Sequence, residues 1–431
     1  AFLSAVAQAF RTPDLRRKLL FTLFIMAMFR LGSYIPTPGV DSTAIQQCLA
    51  QQEEANLLDL VNLFSGGALL QLSIFALGIM PYITASIIIQ LLRVVIPRFD
   101  DLHKEGQTGQ AKLTQYTRYL TIFLGVLQAT TTLTLARTGR MFSGCSAKVL
   151  ADDSWWMFLI MIIIMMAGTG VVMWLGELIT ERGIGNGMSL LIFTSIIARL
   201  PSQMLAIGQS GKWGAVIAIL LLLFAVTLAV VFIEQAQRRI PVQYAKRMIG
   251  RRQYGGTTTY IPLKINMSGV IPVIFASSIL ALPLMIAQFG AQTDGWVQWL
   301  SANLHQGSWV YLTIYALLIL FFAFFYTVIT FNPEEVADNM KRYGGFIPGI
   351  RAGRPTAEFP SYVINRITSA GALYLVIVAL LPSLLIIPLK ISQSQMPFGG
   401  TTLLIIVGVG LQTVKEINTQ LQQHHYEGFL Q

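Results

Sequence analysis

Charged residues are scarce in this 431-residue chain. Asp, Glu, Lys and Arg make up 12% of the positions, whereas a typical soluble domain carries about 25%. Hydrophobic residues make up 54%, and they are grouped in long runs. Because a soluble domain needs a charged surface, this composition excludes one and predicts a polytopic helical membrane protein, an all-α fold.

Side chains that usually carry chemistry are also few. The two cysteines, Cys48 and Cys145, have no metal-binding or redox spacing, and whether they pair is left open. The four histidines all lie outside the predicted spans: His103, His305, His424 and His425. The motifs HExxH, GxxxxGK[ST] and GxSxG are absent. We therefore expect no enzyme activity, no metal site and no cofactor.

Ionisable residues within the predicted spans are rare as well. Arg30 lies inside the first span, while Glu177 and Glu181 lie just past the end of the fourth. Ion-coupled transporters usually place an ionisable residue near the middle of the membrane, and the sequence offers no such residue. This pattern disfavours a proton-coupled carrier.

Ten apolar segments are long enough to be predicted as membrane-spanning helices. They cover approximately residues 19–36, 73–92, 116–136, 155–176, 187–206, 213–233, 268–288, 308–331, 367–387 and 401–420. The first is long enough to stay in the membrane, so we expect no cleavable signal peptide.

The positions of Lys and Arg predict the orientation of these spans. Most of the 30 Lys and Arg residues lie in the N-terminal tail and in every second connection. Cytoplasmic loops carry such an excess, so both termini are predicted to be cytoplasmic. The same distribution explains the net charge of +10 without a nucleic-acid-binding surface.

A broken apolar segment precedes the second span. Residues 57–70 are too short to cross a bilayer and are interrupted at Ser65, Gly66 and Gly67. Irregular backbone at membrane depth is tolerated only within protein or beside a water-filled cavity. The break therefore indicates a pore or a carrier site, although an ordinary loop with a short amphipathic helix also fits it.

Two of the connections on the cytoplasmic side are long and basic. They cover residues about 234–264 and 332–366, and both contain Gly and Pro at turn positions. The positive-inside rule alone accounts for the charges, but it does not require loops of this length. We interpret the loops as docking surfaces for an acidic protein or for RNA phosphate.

Branched aliphatic residues recur near glycine and proline in four spans. Ile79 and Ile83 are expected to share a helix face, with Pro81 between them loosening the helix. Met188 and Ile192 repeat this spacing, and single candidates occur at Ile274 and Ile405. Such residues would line a dry constriction, but the spacing alone is far more typical of residues packed against lipid or other helices.

Polar residues within the spans have two interpretations. The residues are Ser86, Gln90, Gln128, Ser277 and Ser278. They could form ordinary hydrogen bonds between helices, or they could line a seam that opens. At this level a channel, a secondary transporter of a small solute and a structural scaffold all remain open.

Several long motifs occur in one order along nearly the whole chain. They are NLFSGGAL, IFALGIMPYITASIIIQLL, GELITERGIGNGMSL, AKRMIGRR, GVIPVIFASSI, GGFIPGIRAGRPT and FGGTTLLI. In these motifs the chain resembles the SecY/Sec61-alpha family of protein-conducting channels. The resemblance implies that signal-bearing polypeptides cross the plasma (inner) membrane through the protein and that hydrophobic segments leave it laterally.

The resemblance also implies a fold and its moving parts. Two inverted, pseudo-symmetric halves of five helices each, 1–206 and 207–431, would surround a pore. Residues 57–70 would be a re-entrant plug helix containing Asn62, Phe64, Ser65, Gly66 and Gly67. The pore ring would consist of Ile79, Ile83, Met188, Ile192, Ile274 and Ile405. A lateral gate between spans 2–3 and 7–8 would contain Ser86, Gln90, Gln128, Ser277 and Ser278.

Partners are implied by the same resemblance. The basic loops would dock the SecA motor ATPase or the ribosome through Lys246, Arg247, Arg251, Arg252, Arg351 and Arg354. The small subunits SecE and SecG, signal peptides, nascent polypeptides and membrane lipid are the other expected partners.

Overall fold

The computed structural model describes most of the predicted spans and part of the connecting loops. The described residues are 11–41, 43–44, 72–104, 107–138, 154–209, 237–244, 247–249, 252–254, 258–264, 271–287, 309–330, 337, 345–347, 349 and 354–386, with further single residues in 213–232 and 406–420.

Helices account for most of the described residues. The helices with defined bounds are α1 Pro13–Gly32, α2 Met80–Val95, α3 Pro97–Lys104, α4 Gln107–Thr138, α5 Trp155–Arg182, α6 Gly187–Gln209, α7 Ile271–Ala287, α8 Trp309–Thr330 and α9 Arg354–Ile386. The residues that are described between 213 and 232 and between 406 and 420 are also helical. The expectation of a predominantly helical protein is confirmed.

Three described stretches are long and apolar enough to cross a membrane: Trp155–Arg182, Val310–Thr327 and Ser361–Val378. Two shorter apolar stretches, Met80–Arg93 and Gly187–Ala198, lie within α2 and α6. The count of ten spans stays a prediction. The plug expected at residues 57–70 lies outside the described residues.

The second predicted span differs from expectation at its start. Residues 72–79 form turns, and the helix begins only at Met80. Pro81 therefore occupies the first turn of α2, where its missing N–H costs nothing, and does not loosen the middle of a helix. Ile79 is the N-cap of α2, and its carbonyl oxygen accepts a hydrogen bond from the N–H of Ile83 at 3.0 Å, so the two residues still lie one helical turn apart.

These turns are clamped between two helices. The backbone N–H of Ile74 donates to the carbonyl oxygen of Ile35, at 2.9 Å. A methyl group at Gly168 of α5 would overlap the Ile74 carbonyl oxygen, and one at Gly32 of α1 would overlap the Phe75 ring. The absence of a side chain at both glycines lets α1 and α5 approach this non-helical segment closely.

The described residues of the first long basic loop form short strands, a small β element within the predominantly helical fold. It contains the strands β1 Gln237–Tyr244, β2 Arg247–Ile249, β3 Arg252–Tyr254 and β4 Thr258–Lys264, and the second loop supplies β5 Gly345–Phe346. β1 pairs antiparallel with both β4 and β5, while β2 pairs with β3. The sequence showed that this loop is basic and has Gly and Pro at turn positions, but it did not show which strand pairs with which.

The three-stranded sheet of β4, β1 and β5 has a small apolar core of its own. Ile240 and Val242 of β1 are buried together with Ile347, next to β5, and with Val363 and Ile364 of α9. The strands therefore pack against the beginning of α9 and connect the two long loops to one helix.

Candidate functional site

A cavity of about 820 Å³ opens between the helices. Residues from α1, α2, α5, α6, α7, α8 and the 409–420 segment line it. Its lining includes the polar or charged residues Lys18, Tyr82, Ser86, Gln90, Thr180, Glu181, Asn186, Ser189, Tyr326, Gln412, Thr413, Glu416 and Gln420. The cavity is therefore wide and largely polar, and so suited to a hydrated guest.

Helix α2 presents two different faces to its surroundings. Tyr82, Ser86 and Gln90 are spaced four apart and all line the cavity, as the helical repeat requires of one face. Ile83 and Ile87, on another face, are buried in the main apolar core. One helix thus separates the polar cavity from the core.

The predicted pore-ring residues that the structure describes come together in one buried cluster. Ile79, Ile83, Met188, Ile192 and Ile274 all belong to the main apolar core. Met188 also lines the cavity and is 8% exposed, whereas Ile83, Ile192 and Ile274 are fully buried. The cavity thus borders an aliphatic cluster at Met188. Ile405 lies outside the described residues.

The turn before Met188 is held by hydrogen bonds on both sides. The N–H of Ile184 donates to Thr22 Oγ1 of α1 at 3.1 Å, and the N–H of Gly187 donates to Thr180 Oγ1 at 2.9 Å. The N–H of Met188 donates to Asn186 Oδ1 at 3.0 Å. These contacts fix the start of α6 and so position Met188 at the cavity wall.

Polar contacts occur where α2 meets α7 and α8, a contact region that we call the seam. The hydroxyl of Tyr326 on α8 donates a hydrogen bond to Gln90 Oε1 on α2. Ser277 on α7 donates to the Tyr315 hydroxyl on α8 at 3.4 Å. Of the predicted gate residues, Ser86, Gln90 and Ser277 thus lie at the cavity or beside α8.

The other two predicted gate residues differ from these. Gln128 on α4 is 6% exposed, and neither of its amide atoms has a hydrogen-bond partner among the residues that the structure describes. Ser278 lies in α7, next to Ser277.

The sequence analysis missed the two tyrosines of α8. Tyr315 and Tyr326 are eleven residues apart, about three helical turns, so they lie on one face of the helix. Polar hydroxyls repeated on one face of an otherwise apolar span were the signal that could have identified them.

Comparison with known proteins shows the family. A family model described as SecY matches residues 73–414. The chain belongs to the SecY family. The match begins at the turns that precede α2, and it includes the cavity-lining face of α2, the seam and the described pore-ring residues.

SecY relatives align with the full length of the chain. The protein translocase subunit SecY of Streptomyces scabiei is 61% identical over 99% of this chain and 100% of the relative. The subunit of the same name from Mycobacterium tuberculosis is 53% identical over the same shares of both chains.

Solved structures share the SecY fold at lower sequence identity. A structure described as that of a protein-conducting channel has a TM-score of 0.62 at 18% identity, with 93% of this chain and 91% of that chain covered. Sec61 in a canine ribosome–channel complex has a TM-score of 0.56 over the same shares, also at 18% identity.

Two acidic residues within this SecY fold lie on a helix. Glu177 and Glu181 were predicted to follow the fourth span, but α5 continues to Arg182 and so includes both. The Glu177 carboxylate accepts two hydrogen bonds from Arg118 of α4, and the Glu177 side chain is only 16% exposed. The ion pair between Arg118 and Glu177 therefore links α4 to α5.

The predicted docking residues of this SecY chain are only partly described. Arg247 begins β2 and Arg252 begins β3, and Arg252 is in register with Ile249. Arg354 is the first residue of α9. The other predicted residues lie outside the described part of the chain: the docking residues Lys246, Arg251 and Arg351, the plug residues Asn62, Phe64, Ser65, Gly66 and Gly67, and the cysteines Cys48 and Cys145.

Proposed function

We propose that this chain is the channel-forming subunit of a protein translocase in the plasma membrane. Signal-bearing polypeptides would cross through it, and hydrophobic segments would leave it sideways into the bilayer. Its full-length relatives are protein translocase subunits. The observation that carries the proposal is the wide polar cavity that borders a buried aliphatic cluster at Met188.

This arrangement suits the passage of an extended chain. A polar cavity accepts a hydrated polypeptide, whose backbone groups then keep their hydrogen bonds. A ring of Ile79, Ile83, Met188, Ile192, Ile274 and Ile405 would exclude ions, because an apolar constriction sheds water. The same ring has no polar group that would hold a passing chain, so different sequences can move through it.

Lateral release would take place at the seam. In the proposed arrangement, residues 1–206 and 207–431 form two halves, and α2 and α4 face α7 and α8 across the gate. The apolar core of a signal sequence that enters this gate gains about 0.8 kcal/mol for each CH₂ moved out of water. This gain would favour the open state, since a ligand shifts an equilibrium toward the state it binds better.

Docking of a cytoplasmic partner would use the sheet formed by the two long loops. Pairing of β1 with both β4 and β5 joins residues from both loops. Arg247 and Arg252 lie on the separate β2–β3 pair of the first loop, so a partner bound there would contact the loop that also contributes β1 and β4. The ribosome is the first candidate, because a structurally similar Sec61 channel is described in a ribosome complex. The SecA motor is the second.

The remaining parts of the proposal concern orientation and accessory subunits. Both termini would be cytoplasmic, as the Lys and Arg distribution predicts. Residues 57–70 would close the external side of the pore, and SecE and SecG would bind at the periphery of the helices. The relatives give no support to the small-solute transporter, because they are translocase subunits.

A cross-linking experiment tests this function. A photoreactive residue replaces Ile83 in the protein reconstituted into vesicles with its accessory subunits and an ATP-driven motor. A secretory precursor is stalled partway, with or without a working signal sequence. A second variant carries the probe at Leu159, which lies on α5 and is 49% exposed.

The proposal predicts signal-dependent cross-linking of the middle of the precursor at Ile83 and none at Leu159. If the precursor is protected inside the vesicle but never cross-links at Ile83, the protein is still a channel, but Ile83 does not line its pore. Absence of both protection and cross-linking, where a control translocase works, would reject the function.

A further inference from the structure

Arg137 at the end of α4 lies against two aromatic rings at the start of α5. Its guanidinium carbon is 5.6 Å from the centre of the Trp155 ring and 5.9 Å from that of the Phe158 ring. We propose that Arg137, Trp155 and Phe158 form a binding site for the phosphate of one anionic phospholipid, at the membrane surface between α4 and α5. The site is separate from the cavity and the seam, and it goes beyond the proposed function.

Two tryptophans place this cluster at the level of the lipid headgroups. Trp155 is the first residue of α5, whose 28 residues are long and apolar enough to cross a membrane. Trp155 and Trp156 are 69% and 78% exposed. Because exposed tryptophans concentrate at membrane–water interfaces, we expect the headgroup layer at the first turn of α5. Arg137 is on the last turn of α4 and contacts that turn, so its guanidinium group lies at the depth of the lipid phosphates.

Contact with the two rings prepares the guanidinium group for an anion. A cation is attracted to the negative face of an aromatic ring, and this attraction holds the Arg137 side chain in place. The Trp155 and Phe158 rings also contact each other, with centroids 6.3 Å apart at an interplanar angle of 74°. The donors of a guanidinium group point outward from its edges, and their fork matches two oxygens of one phosphate. A side chain that is already ordered loses less entropy when the phosphate binds.

An exposed apolar face continues from the cluster along α5. Ile160 and Ile163 follow Trp156 at helical spacing and are 45% and 58% exposed. Another side of the same helical turn packs against protein, since a Cβ at Gly39 would lie 2.9 Å from Met157 Cγ. The exposed side therefore offers an apolar surface for acyl chains directly beside a cation for the headgroup.

The charges on α4 and α5 favour an anion at this end of the helices. α4 contains no Asp or Glu, and the first acidic residue of α5, Glu177, lies about 30 Å along the helix from Trp155. Neither described helix thus offers a carboxylate within reach of Arg137. Asp152 and Asp153 precede α5 in the sequence and lie outside the described residues. They are the rival partners of Arg137, so the test includes them.

The test measures lipid binding by the purified full-length protein in detergent micelles. Phosphatidylglycerol with a photoreactive group on its headgroup is the probe, and native mass spectrometry counts the bound lipids at each concentration. We expect Arg137→Gln to bind the probe about fivefold to tenfold more weakly at this site, the loss expected for one arginine at a membrane surface. After illumination, labelled peptides should come from the end of α4 or the start of α5, and Arg137→Gln should lack this label.

Three further variants separate the site from general effects. Arg137→Lys keeps the charge and loses the planar fork, so it should recover only part of the binding. Trp155→Leu keeps an apolar residue and removes the ring, so it should also weaken binding. Arg11→Gln removes a positive charge from the N-terminal tail and should leave the label unchanged. Without lipid, all variants should unfold at about the temperature of the unchanged protein, because the three replaced side chains are exposed.

Three results would overturn the site. Equal labelling of α4 and α5 in the unchanged protein and in Arg137→Gln would show that the guanidinium group does not bind the headgroup. An equal loss in Arg11→Gln would show only a general attraction between a basic protein and an anionic lipid. Labelling that appears only when Asp152→Asn and Asp153→Asn are combined would show that Arg137 is bound by its own chain. None of these measurements involves transport, so each would leave the proposed channel function standing.

Discussion

Arg118 and Glu177 form a bidentate ion pair between α4 and α5. Arg118 Nε donates to Glu177 Oε1 at 3.0 Å, and Arg118 Nη2 donates to Oε2 at 2.8 Å. The two residues are 59 positions apart in the sequence. The Arg118 side chain is 39% exposed and that of Glu177 is 16% exposed. Partial burial and two parallel bonds make this pair stronger than an ordinary surface salt bridge.

Replacement of Arg118 by Ala should therefore destabilise the protein. It leaves the Glu177 carboxylate poorly exposed and without its donor, which costs about 1–3 kcal/mol. Thermal unfolding in detergent micelles measures the loss. Lys112→Ala, an exposed change on the same helix, is the matched control and should have little effect. Equal losses in the two variants would show that the ion pair contributes nothing specific.

Addition of one methyl group should distinguish two glycines on α5. The new Cβ in Gly168→Ala overlaps the Ile74 carbonyl oxygen, whereas a Cβ at Gly170 meets nothing within 4 Å in the described structure. We expect Gly168→Ala to destabilise by about 1–3 kcal/mol through overpacking. Gly170→Ala should be neutral or stabilising by up to about 1 kcal/mol, since Ala favours helix. Unfolding temperatures of the two purified variants test this; the reverse order would contradict the packing of residues 72–79 against α5.

A polar group in the aliphatic cluster should weaken the closed state. Ile274→Asn places an amide in a fully buried site, at a cost of about 1–3 kcal/mol that water in an open pore would relieve. Precursors with defective signal sequences should then be exported up to about tenfold better. Ile319→Asn, at an equally buried position on α8, is the control and should destabilise without relaxing stringency. Unchanged stringency in Ile274→Asn would remove Ile274 from the pore ring.

Charge reversal in the second long loop should impair partner-driven transport. Arg351→Glu presents a negative charge to an acidic partner, and such a pairing should reduce translocation by about tenfold or more. Insertion of the protein into the membrane should be unchanged. Arg11→Glu, in the N-terminal tail, controls for loss of cytoplasmic positive charge in general. Normal translocation in Arg351→Glu would mean that the loop only follows the positive-inside rule.

Pore-ring and gate residues were predictable to different degrees. Ile83, Met188, Ile192 and Ile274 came from the family resemblance and are buried in one cluster, although the spacing of isoleucines alone did not select them. Gln90 was selected in the same way, but its partner Tyr326 was not. An acceptor in one span and a donor 236 residues later can be matched only when the rotation and axial position of both helices are known.

Local sequence by itself determined which segments are apolar helices, which loops are basic, and that the chain belongs in a membrane. Those properties depend on the hydrophobicity and charge of neighbouring residues, so a short window of sequence contains them. Tertiary structure decided the start of α2 at Met80, the pairing of β1 with β5, the Arg118–Glu177 ion pair and the Gln90–Tyr326 contact. Each of these depends on how distant segments pack in three dimensions, because backbone and side-chain groups find partners only after the helices have been placed side by side.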